Sequence, residues 1–194
     1  MRGARLAFLA LLALVGSAAA QAPKPGAVQQ PAPPVVAVVD VQLILREAAA
    51  AKSVREAVEA RRTAFERELD KVTQELRRAE EELRRQQGQL AGDELGNRKR
   101  ELERRYGELR RRTEERRTEL TEAYNVAMRQ VRQEMARALA EVMKDRGVDI
   151  SMSRAAVLVF DDKLDITREV VERLNRRLPK VEVRFEATSP PAQN

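Results

Sequence analysis

The chain has 194 residues, of which 37 are basic and 31 acidic, and it contains neither cysteine nor histidine. These missing residue types exclude disulfides, thiol chemistry, histidine acid–base catalysis and the usual zinc sites. Charged residues make up 35% of the chain and aromatic residues only 3%, a composition that favours long charged helices over a large globular core.

The N-terminus has the pattern of a secretory signal peptide. Two arginines precede an apolar run over residues 6–15, which is too short to span a bilayer, and small residues follow at 18–20. We expect residues 1–20 to be cleaved off and the chain to be exported, to the periplasm if the cell is Gram-negative. A retained N-terminal anchor is the alternative. Residues 21–34 are rich in proline and are predicted to form a disordered linker.

The predicted body of the protein begins with an apolar, mostly β-branched strand over Val35–Val39. Asp40 follows directly and is placed to cap a helix that starts at Val41. The small residues Ala48–Ala51 then predict either close helix packing or a turn. We assign residues 35–53 to the body.

Residues 54–146 are predicted to form a helical hairpin, because apolar residues recur at steps of three, four or seven, as in a coiled coil. The apolar stripe is interrupted at about 91–97, which is predicted to be the tip, and Gly147 is the expected stop of the returning helix. Arg62, Arg112 and Arg116 lie on or beside the stripe and are expected to weaken it locally. The stripe consists of Val58, Phe65, Leu69, Val72, Leu76, Ala79, Leu83 and Leu90 on the way out, and of Leu102, Tyr106, Leu109, Thr113, Leu120, Tyr124, Ala127, Val131, Met135, Ala138 and Val142 on the way back.

After Gly147 the apolar period changes to that of strands. Residues 148–153 alternate apolar and polar, and residues 156–160 are continuously apolar and are predicted to form a central strand. A turn then leads to a last helix with one apolar face, and Val181–Phe185 is a possible further strand.

Residues 147–186 therefore complete the body, and residues 187–194 are predicted to form a disordered tail. The fold class predicted from these elements is α+β, with a long antiparallel helical hairpin projecting from a small β-sheet body.

A body of this size has a small core and open sheet edges. Because neither disulfides nor metal sites are available, oligomerisation is the expected remedy. The residues expected to form the body core and the contact between copies are Val36, Val38, Ile44, Ile150, Val157, Val159, Phe160, Ile166, Val170 and Leu174.

Motifs for catalysis are missing from the sequence. It has no glycine-rich phosphate loop, and no nucleophile–base pair can be proposed without histidine or cysteine, so we predict no enzymatic activity and no cofactor. Asp161, Asp162 and Asp165 lack the glycine and the terminal glutamate of a calcium loop and are assigned to turns and caps.

The arginines of the hairpin have two interpretations. They either provide solubility and pairs with nearby glutamates, or form a basic surface that attracts acidic polypeptides or anionic lipid headgroups. Nucleic acid is not an expected partner, because the chain is exported and has few aromatic residues for base stacking. The candidate contacts for clients or lipid are Arg77, Arg78, Arg84, Arg85, Arg104 and Arg105.

Both ends of the predicted body resemble the OmpH/Skp family of periplasmic chaperones. The segment Leu164-Asp165-Ile166-Thr167 with its following helix is the most specific part of this resemblance, which covers about residues 35–178. The resemblance implies a homotrimer in which strands from three subunits form the body. It also implies that the three hairpins enclose a cavity that holds unfolded outer-membrane β-barrel proteins without ATP. The matching segments are 36–42, 52–53, 150–154, 157–161 and 164–175.

The sequence therefore predicts an ATP-independent periplasmic holdase whose partners are unfolded outer-membrane proteins and further copies of itself. The alternative hypothesis is a structural coiled-coil adaptor or spacer that docks one folded partner of an envelope assembly by its tip. The proline-rich linker and the tail match no motif of the family and have no assigned role.

Overall fold

The computed structural model describes residues 32–185. The predicted signal peptide and tail, and most of the predicted linker, lie outside these residues. None of the helices in the described part combines the length and the apolar character needed to cross a membrane. In chain order the elements are strand β1 (Val36–Val39), helices α1 (Val41–Glu47), α2 (Ala49–Gln86) and α3 (Gly92–Arg146), strand β2 (Ile150–Ser153) and helix α4 (Thr167–Arg177).

The long hairpin and the small sheet confirm the predicted α+β class. Helix α2 has 38 residues and α3 has 55, so at about 1.5 Å per residue α2 alone is about 57 Å long. We call this pair of helices the arm, and its outer part, residues 62–118, the distal arm.

Strands β1 and β2 form a parallel two-stranded sheet at the base of the arm, with Val36 opposite Ile150 and Val39 opposite Ser153. The other edge of β1 is partly covered, because the Ile166 amide donates a 3.0 Å hydrogen bond to the Val38 carbonyl. Within the described residues, β2 therefore forms an open edge of the sheet.

Helix ends in the body follow local sequence rules. The Asp40 carboxylate accepts a 2.8 Å hydrogen bond from the Leu43 amide and so caps α1, as predicted. Gly147 ends α3 with a φ of 63°, the left-handed conformation that glycine adopts without strain. Ala48, in an extended conformation, separates α1 from α2, so the alanine-rich segment is a one-residue bend followed by a closely packed helix start.

The core of the body lies where β1, α1 and α4 pack against the base of α2 and α3. Ile44, Ile166, Val170 and Leu174 are fully buried there, together with the small residues at the start of α2. Arg173 and Arg177 of α4 reach across to three acidic residues of α3. The ion pairs are Arg173 with Glu141 (2.9 Å) and Asp145 (2.6 Å), and Arg177 with Glu134 (3.0 Å) and Glu141 (2.5 Å).

Polar residues of the Leu164–Asn175 segment hold the body together through backbone groups of distant segments. The Thr167 hydroxyl accepts a 2.8 Å hydrogen bond from the Asp40 amide, and the Asn175 side-chain oxygen accepts one of 2.8 Å from the Ala49 amide. The Asp165 carboxylate accepts a hydrogen bond from the Thr167 amide at the start of α4. The first two bonds supply partners for amides at the N-termini of α1 and α2, and the third does the same for α4, because a helix cannot satisfy its own first amides.

The turn at the end of the arm lies at residues 87–91, earlier than the predicted 91–97. Gly92 is the first residue of α3, and the next two residues, Asp93 and Glu94, place negative charge at the helix N-terminus, which stabilises it. Across the turn, Arg98 donates a 2.7 Å hydrogen bond to the Gln86 side chain. The glycine-rich segment therefore starts a helix and does not interrupt one.

Two predicted strands do not form in the protomer. Residues 156–160 are mostly exposed and pair with neither strand of the sheet. Val181–Phe185 is also unpaired, and it lies against helices of the arm, which have no free backbone groups for a ladder.

Candidate binding arm and oligomerisation surface

The seam between α2 and α3 changes character along the arm. Near the body it is closed by small and medium apolar side chains, among them Val54, Ala127 and Val131, all of which are buried. In the distal arm only Leu76 is fully buried, and the other predicted stripe residues are half-buried. The apolar stripe is confirmed as the seam, and its outer half leaves apolar surface partly open.

Two cavities open beside the distal seam. One, of about 200 Å³, lies between Leu69, Val72 and Leu109, and the other, of about 420 Å³, lies closer to the tip and is lined mostly by apolar atoms of Ala79, Leu83 and Leu102. Both cavities are open to solvent, so the half-buried apolar side chains that line them are accessible from outside the hairpin.

Opposite charges face each other along these cavities. Glu68, Glu75 and Glu82 recur every seven residues on α2, and Arg98, Arg105 and Arg112 recur every seven residues on α3; all six line the two cavities. In an antiparallel hairpin such series set which helix faces meet. This arrangement was not predicted from the sequence, although the spacing of seven is present there.

A buried carboxylate lies in the middle of the seam. The Glu119 side chain is 3% exposed, and it receives a 2.5 Å hydrogen bond from Arg116 and lies 3.5 Å from Arg61 across the seam. Within the described residues its Oε1 atom has no hydrogen-bond partner. The hydrogen bond to Glu119 raises the pKa of Arg116 further above its usual value. Arg116 was predicted to weaken the seam, but Glu119 was not predicted to lie in it. Nothing in the local sequence distinguishes Glu119 from the exposed glutamates of α3.

The six candidate arginines are all exposed, and they differ in whether they form ion pairs with nearby carboxylates. Arg104 pairs with Glu101 at 2.8 Å and Arg85 lies at the limit of an ion pair with Glu81 and Glu82. The other four, which make no ion pair with the carboxylates of residues 32–185, are Arg77, Arg78, Arg84 and Arg105. On α2 the four arginines at 77, 78, 84 and 85 follow a spacing of seven and so line one flank of the helix.

Tyr106 bridges the seam to Glu80, which lies one helical turn from both Arg77 and Arg84 of that flank. Its hydroxyl donates a 3.0 Å hydrogen bond to the Glu80 carboxylate, and this bond raises the pKa of Tyr106 above its usual value. The bond ties the outer third of the two helices together.

A family model described as outer membrane protein (OmpH-like) matches residues 35–174. The chain belongs to the OmpH-like family. No curated protein matches it at a significant level. The protein has the fold of a crystal structure from Caulobacter crescentus CB15, described as an outer membrane chaperone (OmpH-like), with a TM-score of 0.76 and 21% sequence identity. The alignment covers 84% of this chain and 96% of that chain.

The ten predicted body residues of this OmpH-like chain fall into two groups according to their burial. One group, which includes Val38, Ile44 and Leu174, is buried within the single chain. The other group, which includes Ile150 and Val159, stays exposed or half-buried on the outside of the body. The buried residues are Val38, Ile44, Ile166, Val170 and Leu174, and those left exposed or half-buried are Val36, Ile150, Val157, Val159 and Phe160.

Exposed apolar residues concentrate after β2 in this OmpH-like chain. Leu158 and Val159 are 102% and 89% exposed, and Ile150 and Met152 on the open strand β2 are close to half exposed. Phe160 is partly covered, because the Arg154 guanidinium lies 5.4 Å from the centre of its ring. Contiguous exposed apolar residues beside an open strand edge are typical of a protein–protein contact.

The aspartates considered for calcium have structural roles in the OmpH-like body. Asp161 accepts a hydrogen bond from the Lys163 amide, and Asp165 caps the start of α4. Among residues 32–185, no group of three or more acidic side chains is arranged to hold a metal ion.

Proposed function

We propose that this protein is an ATP-independent periplasmic holdase, a homotrimer whose arms hold unfolded outer-membrane β-barrel proteins and prevent their aggregation. Membership of the OmpH-like family supports a periplasmic chaperone role in general terms, and the Caulobacter protein with the same fold is itself described as an outer membrane chaperone. No cofactor, catalytic residue or nucleic-acid partner belongs to this proposal.

The observation that carries the proposal is the open distal seam. A hairpin that served only as a rigid spacer would gain stability from a closed seam, whereas this one keeps a single fully buried apolar residue, Leu76, over the whole distal arm. Half-buried apolar side chains that line solvent-open cavities can form many weak contacts with an unfolded chain.

The charge of the arm supports the same role. Arg77, Arg78, Arg84 and Arg105 carry charge that no carboxylate of the described residues balances at close range. Such a basic flank attracts acidic polypeptide segments and, as a second possible ligand, anionic lipid headgroups. Its contribution is expected to weaken with salt, because the Debye length shortens to about 3 Å at 1 M.

The oligomer is proposed to form through the exposed apolar edge of the body. In this arrangement the segment around Leu158 and Val159 of one copy covers the open edge of β2 in the next, so that residues 156–160 gain the strand partner that the single chain does not provide. Burying Leu158 and Val159 side chains would contribute about 1.5–3 kcal/mol each.

The oligomer is tested with the double variant Leu158→Ser/Val159→Ser. Both side chains are exposed in the protomer, so the variant should fold and yet sediment as a monomer at micromolar concentration. The control is Val126→Ser, which removes an exposed apolar residue from the arm and should leave the trimer intact. A wild-type protein that sediments as a monomer would contradict the proposal.

The holding role is tested by shortening the arm. Val72 and Leu109 line the same cavity from opposite helices, so the segment between them can be replaced by a short glycine–serine turn that joins facing positions. The shortened protein should keep its oligomeric state and lose the ability to suppress aggregation of a denatured β-barrel protein on dilution. Unchanged suppression by the shortened protein would show that the distal arm is not the holding surface.

A further inference from the structure

The segment Val181–Phe185, which we call the strap, lies beyond the 35–174 range of the family model. Apolar and polar residues alternate along the strap, and their burial alternates with them. Val181 is buried and Val183 and Phe185 are half-buried. Glu182 and Arg184, which lie between them, are exposed. The strap therefore presents one apolar edge to the protein and one polar edge to solvent, as a half-buried strand does.

Two contacts fix the path of the strap along the arm. At its start the Val181 amide donates a 3.1 Å hydrogen bond to the Ser53 hydroxyl, and at its end Phe185 lies under the Arg61 guanidinium, 5.6 Å from the ring centre. Ser53 and Arg61 are eight residues apart on α2, about 12 Å at ~1.5 Å per residue. Four strand steps at ~3.3 Å per residue cover about 13 Å, so the strap runs fully extended beside α2.

The surface that receives the strap is a shallow groove between α2 and α3, which we call the proximal groove. Its floor is formed by the small residues Ala123 and Ala127, and Val126 and Gln130 line its open side. A space of about 480 Å³ remains beside the strap, and Val126 is 56% exposed there. The strap and Lys180 form one wall of this space, and α3 forms the other.

The strap is held in the groove by few bonds. Within residues 32–185 its only hydrogen bond from the backbone is that of Val181 to Ser53, and its remaining contacts are those of side chains. A segment held in this way can leave the groove at small cost, apart from Val181, which belongs to the core.

We propose that the proximal groove is a binding site for extended polypeptide segments in which apolar and polar residues alternate, and that the strap occupies it as an intramolecular competitor. This inference rests on the proposed holding function and specifies the class of segment held. Strands of transmembrane β-barrels have this alternation, and Val-Glu-Val-Arg-Phe shows that the groove accepts it. A strap tethered to its own groove has a high effective concentration, so an incoming segment must displace it.

The test compares two double variants of the full chain that leave the net charge unchanged. Val183→Ser/Phe185→Ser removes the two inward contacts of the strap, and Glu182→Ser/Arg184→Ser removes the two outward side chains. The probe is a fluorescein-labelled peptide with the sequence of residues 179–186, and a scrambled peptide in which the apolar residues are contiguous is the control probe.

The inward variant should bind the alternating peptide about tenfold more tightly than the wild type in anisotropy titrations, because the fraction of open groove rises. The outward variant should match the wild type, and the scrambled peptide should bind neither. Equal binding by both variants, or equal binding of both peptides, would overturn the inference. The single variant Phe185→Ser, which disturbs the fold least, should shift binding in the same direction by a smaller factor.

The location is tested with a benzophenone cross-linker placed at position 126. It should capture the alternating peptide more efficiently in the inward variant than in the wild type, whereas the same group at the exposed Arg168 position of α4, outside the arm, should capture little in either. Capture that does not differ between the inward variant and the wild type would overturn the inference. Suppression of client aggregation is measured in parallel: if the wild type suppresses aggregation and the peptide fails to bind, only this inference is wrong, and if it does not suppress aggregation, the proposed function itself is wrong.

Discussion

Glu119 provides the sharpest test of whether buried charge or apolar packing stabilises the seam of the arm more. It is the one charged side chain that lies fully buried in the seam of the described residues, and its Oε1 atom has no hydrogen-bond partner there. We predict that Glu119→Leu stabilises the arm, although it removes the ion pairs with Arg116 and Arg61, because it places an apolar side chain among the apolar residues of the seam.

The size of the effect follows from three contributions. Full burial of a leucine side chain stabilises by about 1.5–3 kcal/mol, and removal of a buried carboxylate oxygen that accepts no hydrogen bond relieves a desolvation cost of about 1–3 kcal/mol. The lost hydrogen bond to Arg116 opposes them by about 1.5–3 kcal/mol at most, and by less here because Arg116 and Arg61 are each more than one-third exposed and regain water. The net expectation is about 2 kcal/mol in favour of the variant, which is about 30-fold in an opening equilibrium.

Hydrogen exchange measures this opening directly. Amides of α2 and α3 near Arg61 and Glu119 should exchange about 30-fold more slowly in Glu119→Leu than in the wild type. The control is Glu122→Leu, the same substitution one turn further on at an exposed position, which should change exchange little. Faster exchange in Glu119→Leu, or equal effects of both variants, would show that the ion pair stabilises the seam and would refute the reasoning.

Three further predictions concern single residues of the arm and the body. Leu76→Ala should cost the distal arm about 2–5 kcal/mol, seen as faster hydrogen exchange over residues 62–118 with an unchanged body; an effect equal to that of the half-buried Leu83→Ala would contradict it. Gly147→Ala should lower stability by about 1–2 kcal/mol, because φ is 63° there, and thermal unfolding should show a smaller loss for Gly147→Asn. The hydrogen bond from Arg177 lowers the pKa of Glu134 below its ordinary 4.5, so the stability that this carboxylate contributes is present above pH 4.5 and is lost as the pH falls through the lowered value. Urea unfolding monitored by circular dichroism should therefore show the wild type to be more stable than Glu134→Gln at neutral pH, and this difference should shrink as the pH falls through the lowered pKa of Glu134.

Features that depend on neighbouring residues could be predicted from the sequence. The cap at Asp40, the stop at Gly147 and the apolar seam each follow from local spacing, and each appears in the structure. The predicted tip at residues 91–97 lies too late in the chain. Gly92 does not break a helix but begins α3, and the acidic residues that follow it favour a helix N-terminus.

Features that depend on distant residues could not be predicted. Residues 156–160 have the composition of a central strand, but the strand partner that such a segment needs is not present in the described part of one chain. Val181–Phe185 has the right alternation, but its neighbour is a pair of helices, so the alternation appears in burial and not in pairing. Glu119 is one of many glutamates on α3, and only the position of Arg61 across the seam distinguishes it.

Stability and binding make opposite demands on the distal seam. Each stripe residue that became fully buried would add about 1–2 kcal/mol, yet it would also withdraw apolar surface that an unfolded chain can contact. The glutamates on α2 and the arginines on α3 meet part of both demands. They favour one alignment of the two helices, and the cavity between Glu75 and Arg105 stays open. If this reasoning holds, a variant such as Glu119→Leu should stabilise the arm and at the same time suppress client aggregation less well than the wild type. A variant that stabilised the arm and held clients equally well would show that the open seam is a tolerated defect of packing and not the holding surface.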